Sequence, residues 1–348
     1  MNTYILRAMH RGTLRRGIEL VILDEGVTGI GGAAFKGSDS MTEIVLPSSL
    51  TYIDDNAFFG CSSLLQIELP DGVIGIGESV FEDCSSLRNI VIPDGVTSIG
   101  GRAFDGCNCL TEIKIPDGVT SIGNHAFYGC SGLSKITIPD SVTSIGKNAF
   151  AGCSGLTEIV IPDSAIASIG TGALAGCDWL TEITIPDSVT RISDYAFYGC
   201  SGLAEITIPD SVTSIGDCAF CNCSALTEIT LPDSVTSIGK MAFCYCHNLT
   251  KITIPDSVTS IGDRAFYFCN SLTNITIPDS VTSIGECAFE YCSGLTKITI
   301  PDSVTSIGNE AFKYCYDMTI YYSGDALDSY IDDNSSDWSA QNIVWVKQ

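Results

Sequence analysis

The chain is poor in the residues and patterns on which most enzymes depend. It has three histidines among its 348 residues, His10, His125 and His247. None of them stands in a recognised motif with a serine or cysteine and a carboxylate, and neither a nucleophile elbow nor a phosphate-binding glycine loop is present. The acidic residues recur in identical turns, so no carboxylate pair is set apart for acid–base chemistry. We therefore expect a protein that is not an enzyme and has no cofactor.

Basic residues and long apolar runs are also scarce. Lysine and arginine total 17 against 41 aspartates and glutamates, which gives a formal net charge of −24. Nucleic acid is not an expected partner, because phosphate backbones require clustered positive charge. No apolar run approaches the ~20 residues of a membrane helix, so no membrane span is expected. The opening segment "MNTYILRAMHRGTLRRGIELVIL" lacks the pattern of a secretory signal, so the sequence as given predicts no signal peptide.

What the chain has in abundance is internal repetition. All 12 prolines stand in register, 23 residues apart as between Pro209 and Pro232, except for one inserted residue between Pro162 and Pro186. A weaker unit with Asp24 at the proline position brings the total to about 13 units. A period of 23 lies within the range of leucine-rich repeats and predicts a solenoid.

The stretch "ITIPDSVTSIGDCAFCNC", from Ile206 to Cys223, shows what one unit should be. Ile206, Thr207 and Ile208 alternate with period 2, which predicts a short strand that pairs in parallel with the same strand of the next unit. Pro209 ends the strand and begins a turn. The segment "VTSI" predicts a second extended piece, and "AF" after Gly216 predicts a helical or 3₁₀ turn on the outer side.

The predicted fold is an α/β repeat solenoid, a curved array with a parallel β-sheet on its concave face and short helical or 3₁₀ turns outside. One unit cannot bury enough apolar surface to offset its ordering entropy, so stacking and terminal caps are required. We predict an N-terminal cap over residues 1–22, the solenoid over 23–320 and a C-terminal cap over 321–348. The unit at 162–185 is irregular, and its insertion together with Leu174 in place of phenylalanine predicts a bulge or kink in the outer half of its turn.

The repeat "LAEITIPDSVTSIGDCAFCNCSA" resembles the unit of BspA-like leucine-rich repeat proteins, and the resemblance extends over roughly residues 20–320. It implies a leucine-rich repeat fold, cell-surface adhesion or partner binding, and no catalytic residues. It also implies a cell-surface or secreted location, while the sequence by itself leaves the compartment open.

Cysteine is concentrated at one repeat position, which holds 12 of the 17 cysteines, from Cys61 to Cys315. Free cysteine packs as a small buried apolar residue, and in-register side chains point the same way, so we predict a buried ladder of reduced thiols. Five cysteines lie off this column: Cys109, Cys218, Cys221, Cys244 and Cys287. Cys221 and Cys244 share a position on adjacent units near His247. Unlinked thiols are the favoured interpretation there, with a Cys221–Cys244 disulfide or a metal site as alternatives, and we predict no metal site.

Two surfaces of the repeat are candidates for binding a partner. The first is the exposed face of the strands, where polar and charged side chains form two columns; plain β-propensity of threonine is the alternative explanation. The residues proposed for concave-face binding are Glu158, Glu182, Thr184, Glu205, Thr207, Glu228, Thr230, Lys251 and Thr253.

The second surface is a stripe of aromatic residues immediately before the column cysteine. Early units carry glycine there, and the last four regular units carry Tyr245, Phe268, Tyr291 and Tyr314. Contiguous exposed aromatic residues often mark a contact with a partner or with a second copy, and drift of a recently duplicated repeat is the alternative.

An acidic ridge completes the list of candidate surfaces, because aspartate follows proline in eleven consecutive units. Turn capping explains this pattern without a ligand. Calcium bridging between units is the alternative, with Asp187, Asp210 and Asp233 as weak candidate ligands.

The sequence therefore predicts a non-catalytic binding scaffold, an adhesin-like protein that recognises a protein or glycan through its repeat surface, with self-association as a further possibility. The alternative is an intracellular protein-interaction or structural repeat protein.

Overall fold

The structure, a computed structural model, describes residues 3–6, 17–163, 166–323, 325–333 and 341–348. Both predicted caps and the irregular unit at 162–185 include residues outside these ranges. The chain divides into two compact units, Met1–Leu180 and Thr181–Gln348, and each is described by itself.

The part of the first unit that the structure describes contains thirteen short strands: β1 (Thr3–Leu6), β2 (Leu20–Leu23), β3 (Gly29–Ile30), β4 (Glu43–Val45), β5 (Tyr52–Ile53), β6 (Gln66–Glu68), β7 (Asn89–Val91), β8 (Ser98–Ile99), β9 (Ser121–Ile122), β10 (Lys135–Thr137), β11 (Ser144–Ile145), β12 (Glu158–Val160) and β13 (Ser168–Ile169).

Most repeats contribute a strand before the proline position, here called a first-row strand, and most add a two-residue strand after it, called a second-row strand. In the first row, β1, β2, β4, β6 and β7 form one parallel sheet and β10 pairs with β12. In the second row, β3 pairs with β5, and β8, β9 and β11 form a parallel sheet. Equivalent repeat positions face each other, as in the pairing of Ile67 with Ile90.

The described residues of the second unit show the same two-row pattern, with fourteen strands and one helix: β14 (Glu182–Thr184), β15 (Arg191–Ile192), β16 (Glu205–Thr207), β17 (Ser214–Ile215), β18 (Glu228–Thr230), β19 (Ser237–Ile238), β20 (Lys251–Thr253), β21 (Ser260–Ile261), β22 (Asn274–Ile275), β23 (Ser283–Ile284), β24 (Lys297–Ile300), β25 (Ser306–Ile307), β26 (Thr319–Tyr322), α1 (Asp328–Asp333) and β27 (Val344–Lys347).

In this unit the first row comprises the parallel sheets β14–β16, β18–β20–β22 and β24–β26–β27, and the second row runs in order from β15 to β25. The sheet thus extends through β26 and β27 into the segment predicted as the C-terminal cap. The parallel solenoid predicted from the 23-residue period is confirmed in both units. No helix in the described part of the chain is long and apolar enough to cross a membrane.

The core of each unit consists of apolar columns that recur with the repeat. The phenylalanine column is fully buried, and its rings stack with centroids 5.2–5.6 Å apart, as in Phe104–Phe127 and Phe243–Phe266. The cysteine column lies beside it, and its thiols donate to the carbonyl of the phenylalanine one unit earlier, as Cys61 does to Phe35 and Cys292 to Phe266, each at 3.1 Å. The residue one unit before Cys200 is Leu174 instead. These cysteines are buried and free, so the predicted thiol ladder is confirmed.

The outer side of each repeat is a run of reverse turns, and the helical or 3₁₀ turns predicted there are wrong. The amides of Asn56, Phe58 and Gly60 donate to carbonyls of the next repeat at 2.7–2.9 Å, which leaves only alternate amides to close turns within the repeat. The backbone is also left-handed at Asn56 (φ 58°) and at Gly60 (φ 70°). A right-handed helix cannot continue through two left-handed residues four positions apart.

Two side chains flank the buried apolar pair of each outer turn, which is Ala-Phe in most repeats, Val80-Phe81 in one and Ala173-Leu174 in another. The residue before the pair belongs to the first outer column and the residue after it to the second outer column; Arg102 and Asp105 are one such pair around Ala103 and Phe104. Because repeats stack in register, residues 23 apart in these columns are neighbours on the surface.

In the irregular repeat, the described outer turn keeps the hydrogen bonds of the regular repeats, whereas the second-row sheet is interrupted before it. Asn148 N–H donates to Thr171 O and Phe150 N–H to Ala173 O, each at 2.9 Å, as in the regular repeats. The bulge predicted for the outer half of this turn is therefore absent from residues 168–177. Among the described strands, however, the sheet of β8, β9 and β11 ends at β11 and does not continue into β13. Residues 164–165, at the insertion itself, lie outside the described ranges.

The outer columns of the first unit place three carboxylates together. Asp105 lies beside Arg102, with 3.3 Å between carboxylate and guanidinium, and the same guanidinium is 3.5 Å from Glu82. Burial of Asp105, with the nearby charges of Glu82 and Asp83 outweighing that of Arg102, raises the pKa of Asp105 to about 6. Its side chain is 15% exposed. The site therefore favours a protonated carboxyl more strongly in the folded chain than in the unfolded chain.

We expect Asp105→Asn to stabilise the protein at neutral pH. Because the pKa of Asp105 is higher in the folded chain than in the unfolded chain, the protonated carboxyl stabilises the fold below about pH 4. This contribution to the free energy of unfolding is lost as the pH rises toward 6. The variant should exceed the parent by about 1–2 kcal/mol at pH 7, discounted for partial exposure, and should match it near pH 4. Urea unfolding from pH 4 to 7.5 measures the difference, with the exposed turn variant Asp94→Asn as the control. Parallel pH curves for parent and Asp105→Asn would contradict the assignment.

Candidate binding surfaces

The exposed first-row face carries the residues predicted for concave-face binding. In the second unit, Glu182, Thr184, Glu205, Thr207, Glu228, Thr230, Lys251 and Thr253 all point to solvent; Glu158 does so in the first. Glu182 lies opposite Glu205, and Glu228 opposite Lys251, in the strand register. In the first unit Lys135 forms an ion pair with Glu158 at 2.7 Å. The face is thus a polar lattice with both signs of charge.

A groove of about 970 Å³ lies on this face of the second unit, beyond the predicted residues. It joins strand positions to the acidic turns, because Pro-Asp follows each strand directly. Its polar lining includes Asn274, Thr276, Lys297, Thr299, Asp279 and Asp302. The prediction stopped at Thr253 and missed this groove; continuing the same columns along the chain to Asn274 and Lys297 would have reached it.

The acidic ridge does not assemble a metal site around the calcium candidates. Asp187, Asp210 and Asp233 are exposed, and none belongs to a group of three close metal-ligating side chains in the described part of the chain. At these turns serine side chains form the hydrogen bonds between adjacent repeats: Ser211 Oγ donates to Val189 O, and Ser234 Oγ to Val212 O, each at 2.6 Å. Proline O accepts from the valine amide three residues later, for example Val212 at 3.0 Å, which closes the turn.

The group that does meet the distance criterion is Cys287, Glu290 and Glu310, with ligand atoms within 4.8 Å of one another. Lys313 Nζ lies 2.5 Å from Glu310, so this carboxylate already has a cationic partner. The nearby charge of Cys287 raises the pKa of Arg264, which places a second cation beside the group. Its negative charge is compensated within the protein.

The aromatic stripe is held in an unusual backbone conformation. Tyr245, Phe268, Tyr291 and Tyr314 have φ values of 59°, 61°, 62° and 61°, in the left-handed region. The equivalent residues of earlier repeats are mostly glycines with the same conformation, such as Gly129 at 67°. A bulky residue with positive φ is a genuine outlier and costs roughly 1–2 kcal/mol relative to glycine.

The four rings form a continuous stack along the second unit. Their centroids are 5.2 Å apart for Tyr245–Phe268, 4.0 Å for Phe268–Tyr291 and 4.4 Å for Tyr291–Tyr314, with interplanar angles near 25°. The faces of Phe268 and Tyr291 are therefore covered on both sides by neighbouring rings. What the stripe offers to a partner is a row of ring edges.

Two further aromatic side chains widen the stripe on one side. Tyr267 packs edge-on against Tyr245, Phe268 and Tyr291 with centroids 4.8–6.0 Å away. His247 lies 5.7 Å from Tyr245, and its Nδ1 is 3.2 Å from Phe268 O. Burial, helped by the charge of Glu290, raises the pKa of Tyr267 to about 12, so its phenol is neutral at physiological pH. The widened patch is apolar and rigid.

Comparison with known protein families identifies the repeat. A sequence model of the BspA type leucine-rich repeat region matches this chain in six copies, over residues 15–131, 74–204 and 190–319. The chain belongs to the BspA-type leucine-rich repeat family. Proteins of this family are generally interaction and surface-antigen scaffolds, and the match indicates no catalytic family. No curated protein sequence gives a significant match.

Solved structures of leucine-rich repeat proteins resemble the chain over most of its length. A leucine-rich repeat protein from Bacteroides ovatus is 29% identical, with 96% of this chain and 94% of that chain covered and a TM-score of 0.67. A leucine-rich cell surface protein from Faecalibacterium prausnitzii is 28% identical, with 98% and 90% covered and a TM-score of 0.57. A repeat protein from Eubacterium ventriosum is 26% identical, with 85% and 82% covered and a TM-score of 0.51.

The BspA-type repeat accounts for the positions that recur throughout this chain, namely the strand isoleucines, the proline turn, the Ala-Phe pair and the column cysteine. It does not require an aromatic residue before that cysteine, because Gly60, Gly106 and Gly129 make the same turn in the first unit. The aromatic stripe is therefore a surface feature added to a repeat that folds without it.

Proposed function

We propose that this protein is a non-catalytic, adhesin-like scaffold that holds a protein partner against the aromatic stripe of its second unit. The observation that supports this proposal most directly is the left-handed backbone at Tyr245, Phe268, Tyr291 and Tyr314, a conformation that glycine adopts at no cost. Backbone strain of this kind persists where surrounding structure enforces it, and it concentrates at functional sites. Tyrosine and phenylalanine are also enriched where protein interfaces are tightest.

A protein partner fits the stripe better than a sugar does. Sugars stack on the faces of aromatic rings, and the faces of Phe268 and Tyr291 are occupied by their neighbours. Exposed ring edges suit the faces of aromatic side chains and apolar side chains of a protein surface. The stripe also gives a rigid contact, so little side-chain entropy is lost on binding.

The polar groove supports a second candidate function, glycan binding on the strand face. Thr276, Thr299 and Lys297 supply hydroxyl and ammonium groups, while Asp279 and Asp302 add carboxylates in one concavity of about 970 Å³. Such convergent polar groups are what a glycan would require.

Whether the partner is extracellular or cytosolic distinguishes an adhesin-like scaffold from an intracellular one. The Faecalibacterium relative is described as a cell surface protein, which supports the former. Capture of a defined extracellular-matrix protein by the purified chain, with no capture of cytosolic proteins, is the expected outcome.

The stripe is tested by replacing all four aromatic residues with glycine, the residue of the earlier repeats. Affinity for the captured partner should fall at least roughly tenfold, because buried aromatic anchors carry much of the binding free energy. The glycine variant loses the ring stacking, and its unfolded chain gains entropy, but it also loses the strain of a left-handed backbone at bulky residues. The free energy of unfolding should therefore change by no more than a few kcal/mol. Surface plasmon resonance and thermal unfolding measure the two quantities.

The matched control is a groove variant, Thr276→Ala with Lys297→Ala and Thr299→Ala, which leaves the stripe intact. Unchanged affinity in the glycine variant, with lost affinity in the groove variant, would move the site to the strand face. A positive glycan array that depends on the groove residues would select the second candidate function.

A further inference from the structure

Four sulfur-bearing side chains meet on two adjacent outer turns of the second unit. Cys218 and Cys221 flank Ala219-Phe220, and Met241 and Cys244 flank the same pair one repeat later. Each turn is closed by a backbone hydrogen bond of 3.1 Å, from Cys221 N–H to Cys218 O and from Cys244 N–H to Met241 O. The first and second outer columns thus hold a two-by-two arrangement of sulfurs, here called the sulfur quartet.

The quartet is packed as one small cluster just beneath the surface. Cys218 is 6% exposed, Cys221 3% and Cys244 0%, and Met241 packs against them. Tyr267, which occupies the second outer column of the next repeat, covers the cluster from that side. The core cysteines do not compete for the same role, since Cys223 and Cys246 donate to the carbonyls of Phe197 and Phe220.

The thiols of the quartet differ from the core ladder in their electrostatics. A hydrogen bond between the side chains of Cys221 and Cys244 lowers the pKa of Cys221 and raises the pKa of Cys244. Burial raises the pKa of Cys218, which is also in contact with Tyr195. A thiolate is the form of cysteine that binds a metal ion.

The donor set selects the ion by softness and charge. Thiolate and thioether sulfur prefer soft cations such as copper(I), whereas carboxylate and carbonyl oxygen prefer calcium or magnesium. A structural zinc site takes four tetrahedral ligands from thiolate, imidazole or carboxylate, and the quartet offers three thiols and a thioether. A monovalent ion also suits a buried apolar pocket better than a divalent one, because its desolvation costs less.

We propose that the sulfur quartet is a copper(I) site, with Cys221 and Cys244 as thiolate ligands and Met241 as the third sulfur. Binding replaces the two thiol protons of Cys221 and Cys244 with one copper ion, and both protons leave to solvent. Copper remains in the +1 state, so nothing is oxidised or reduced. The net charge of −24 favours accumulation of a cation near the protein. The proposal does not rest on partner binding at the aromatic stripe, although Tyr267 borders both sites.

The test is an anaerobic titration of the reduced full chain with copper(I), supplied as its acetonitrile complex, in competition with the chelator bicinchoninate. One equivalent should resist the chelator and give ultraviolet thiolate-to-copper charge-transfer absorption. Apparent affinity should rise with pH because protons are released. X-ray absorption of the loaded protein should show sulfur neighbours only.

The variant Cys221→Ser with Cys244→Ser should bind roughly a hundredfold more weakly or not at all, and Met241→Leu should bind roughly tenfold more weakly. The matched control, Cys109→Ser, removes an exposed thiol of the first unit and should bind as the parent does. Circular dichroism verifies folding of each variant. Full binding by the double variant, nitrogen or oxygen neighbours in the loaded parent, or a Cys221–Cys244 disulfide with no copper affinity would each overturn the proposal.

Discussion

Phe127→Ala is expected to lower the free energy of unfolding by about 3–5 kcal/mol. Phe127 is fully buried and stacks between Phe104 at 5.2 Å and Phe150 at 5.3 Å, with interplanar angles of 6° and 3°. Replacement by alanine deletes a ring that is fully buried from water and eliminates both of its stacking contacts. The cavity cannot close easily, because Phe127 N–H donates to Ala149 O at 2.7 Å and fixes the spacing of the repeats.

Phe127→Leu is the matched control for this expectation. Leu174 fills the equivalent position of the irregular repeat and is itself buried, so the fold accommodates leucine in the column. A swap that nearly preserves volume should cost less than about 1.5 kcal/mol. Urea unfolding followed by circular dichroism measures both variants. Equal losses for alanine and leucine, or a loss below about 1 kcal/mol for alanine, would show that the stack contributes little.

The strands and the core were predictable because their sequence signals are local and repeated. Ile206-Thr207-Ile208 alternates with period 2, and the same alternation 23 residues away identifies its neighbour in the sheet. The thiol ladder followed from the same logic, since a cysteine that recurs with the core positions is buried with them. Parallel pairing needed no further information, because identical repeats that stack in register bring identical strands together.

The outer turns were not predictable in the same way, because side-chain identity conceals their backbone conformation. Ser79, Arg102 and Cys218 have φ values of 53–54°, and none of these residue types signals a left-handed backbone. In most of the earlier repeats glycine signalled one of the two left-handed positions, and in the last repeats, such as those with Tyr245 and Phe268, it signalled neither. Two apolar residues between polar ones then suggested a helical turn, whereas the amides were already committed to the next repeat.

The candidate sites divide along the same line. The aromatic stripe was visible in the sequence as a column, although its strained backbone was not. The sulfur quartet was only half visible: Cys221 and Cys244 stood out as a pair, but the sequence grouped them with His247 and the core cysteines. The outer turns instead place Cys218 and Met241 beside them. Whether these side chains are neighbours depends on the direction in which each one leaves the turn, and no local sequence pattern encodes that direction.

Column cysteines in the folded protein should react with iodoacetamide roughly a thousandfold more slowly than an exposed thiol. Burial raises the pKa of Cys153 to about 12 and likewise that of Cys315. At pH 7.5 the thiolate, which is the attacking species, is therefore almost absent. Cys109 is exposed and provides the internal reference for the rate.

Timed alkylation followed by peptide mass spectrometry measures every cysteine in one sample, and denaturant provides the fully reactive control. Column thiols also donate to phenylalanine carbonyls, as Cys153 does to Phe127 at 3.1 Å, so such a repeat must open before its sulfur becomes accessible. The rate at each column position thus reports the free energy of local opening, and the interior repeats should be slower than the terminal ones. Alkylation of Cys153 within tenfold of Cys109, with circular dichroism unchanged, would mean that the repeats open freely and that the thiol hydrogen bonds do not hold them closed.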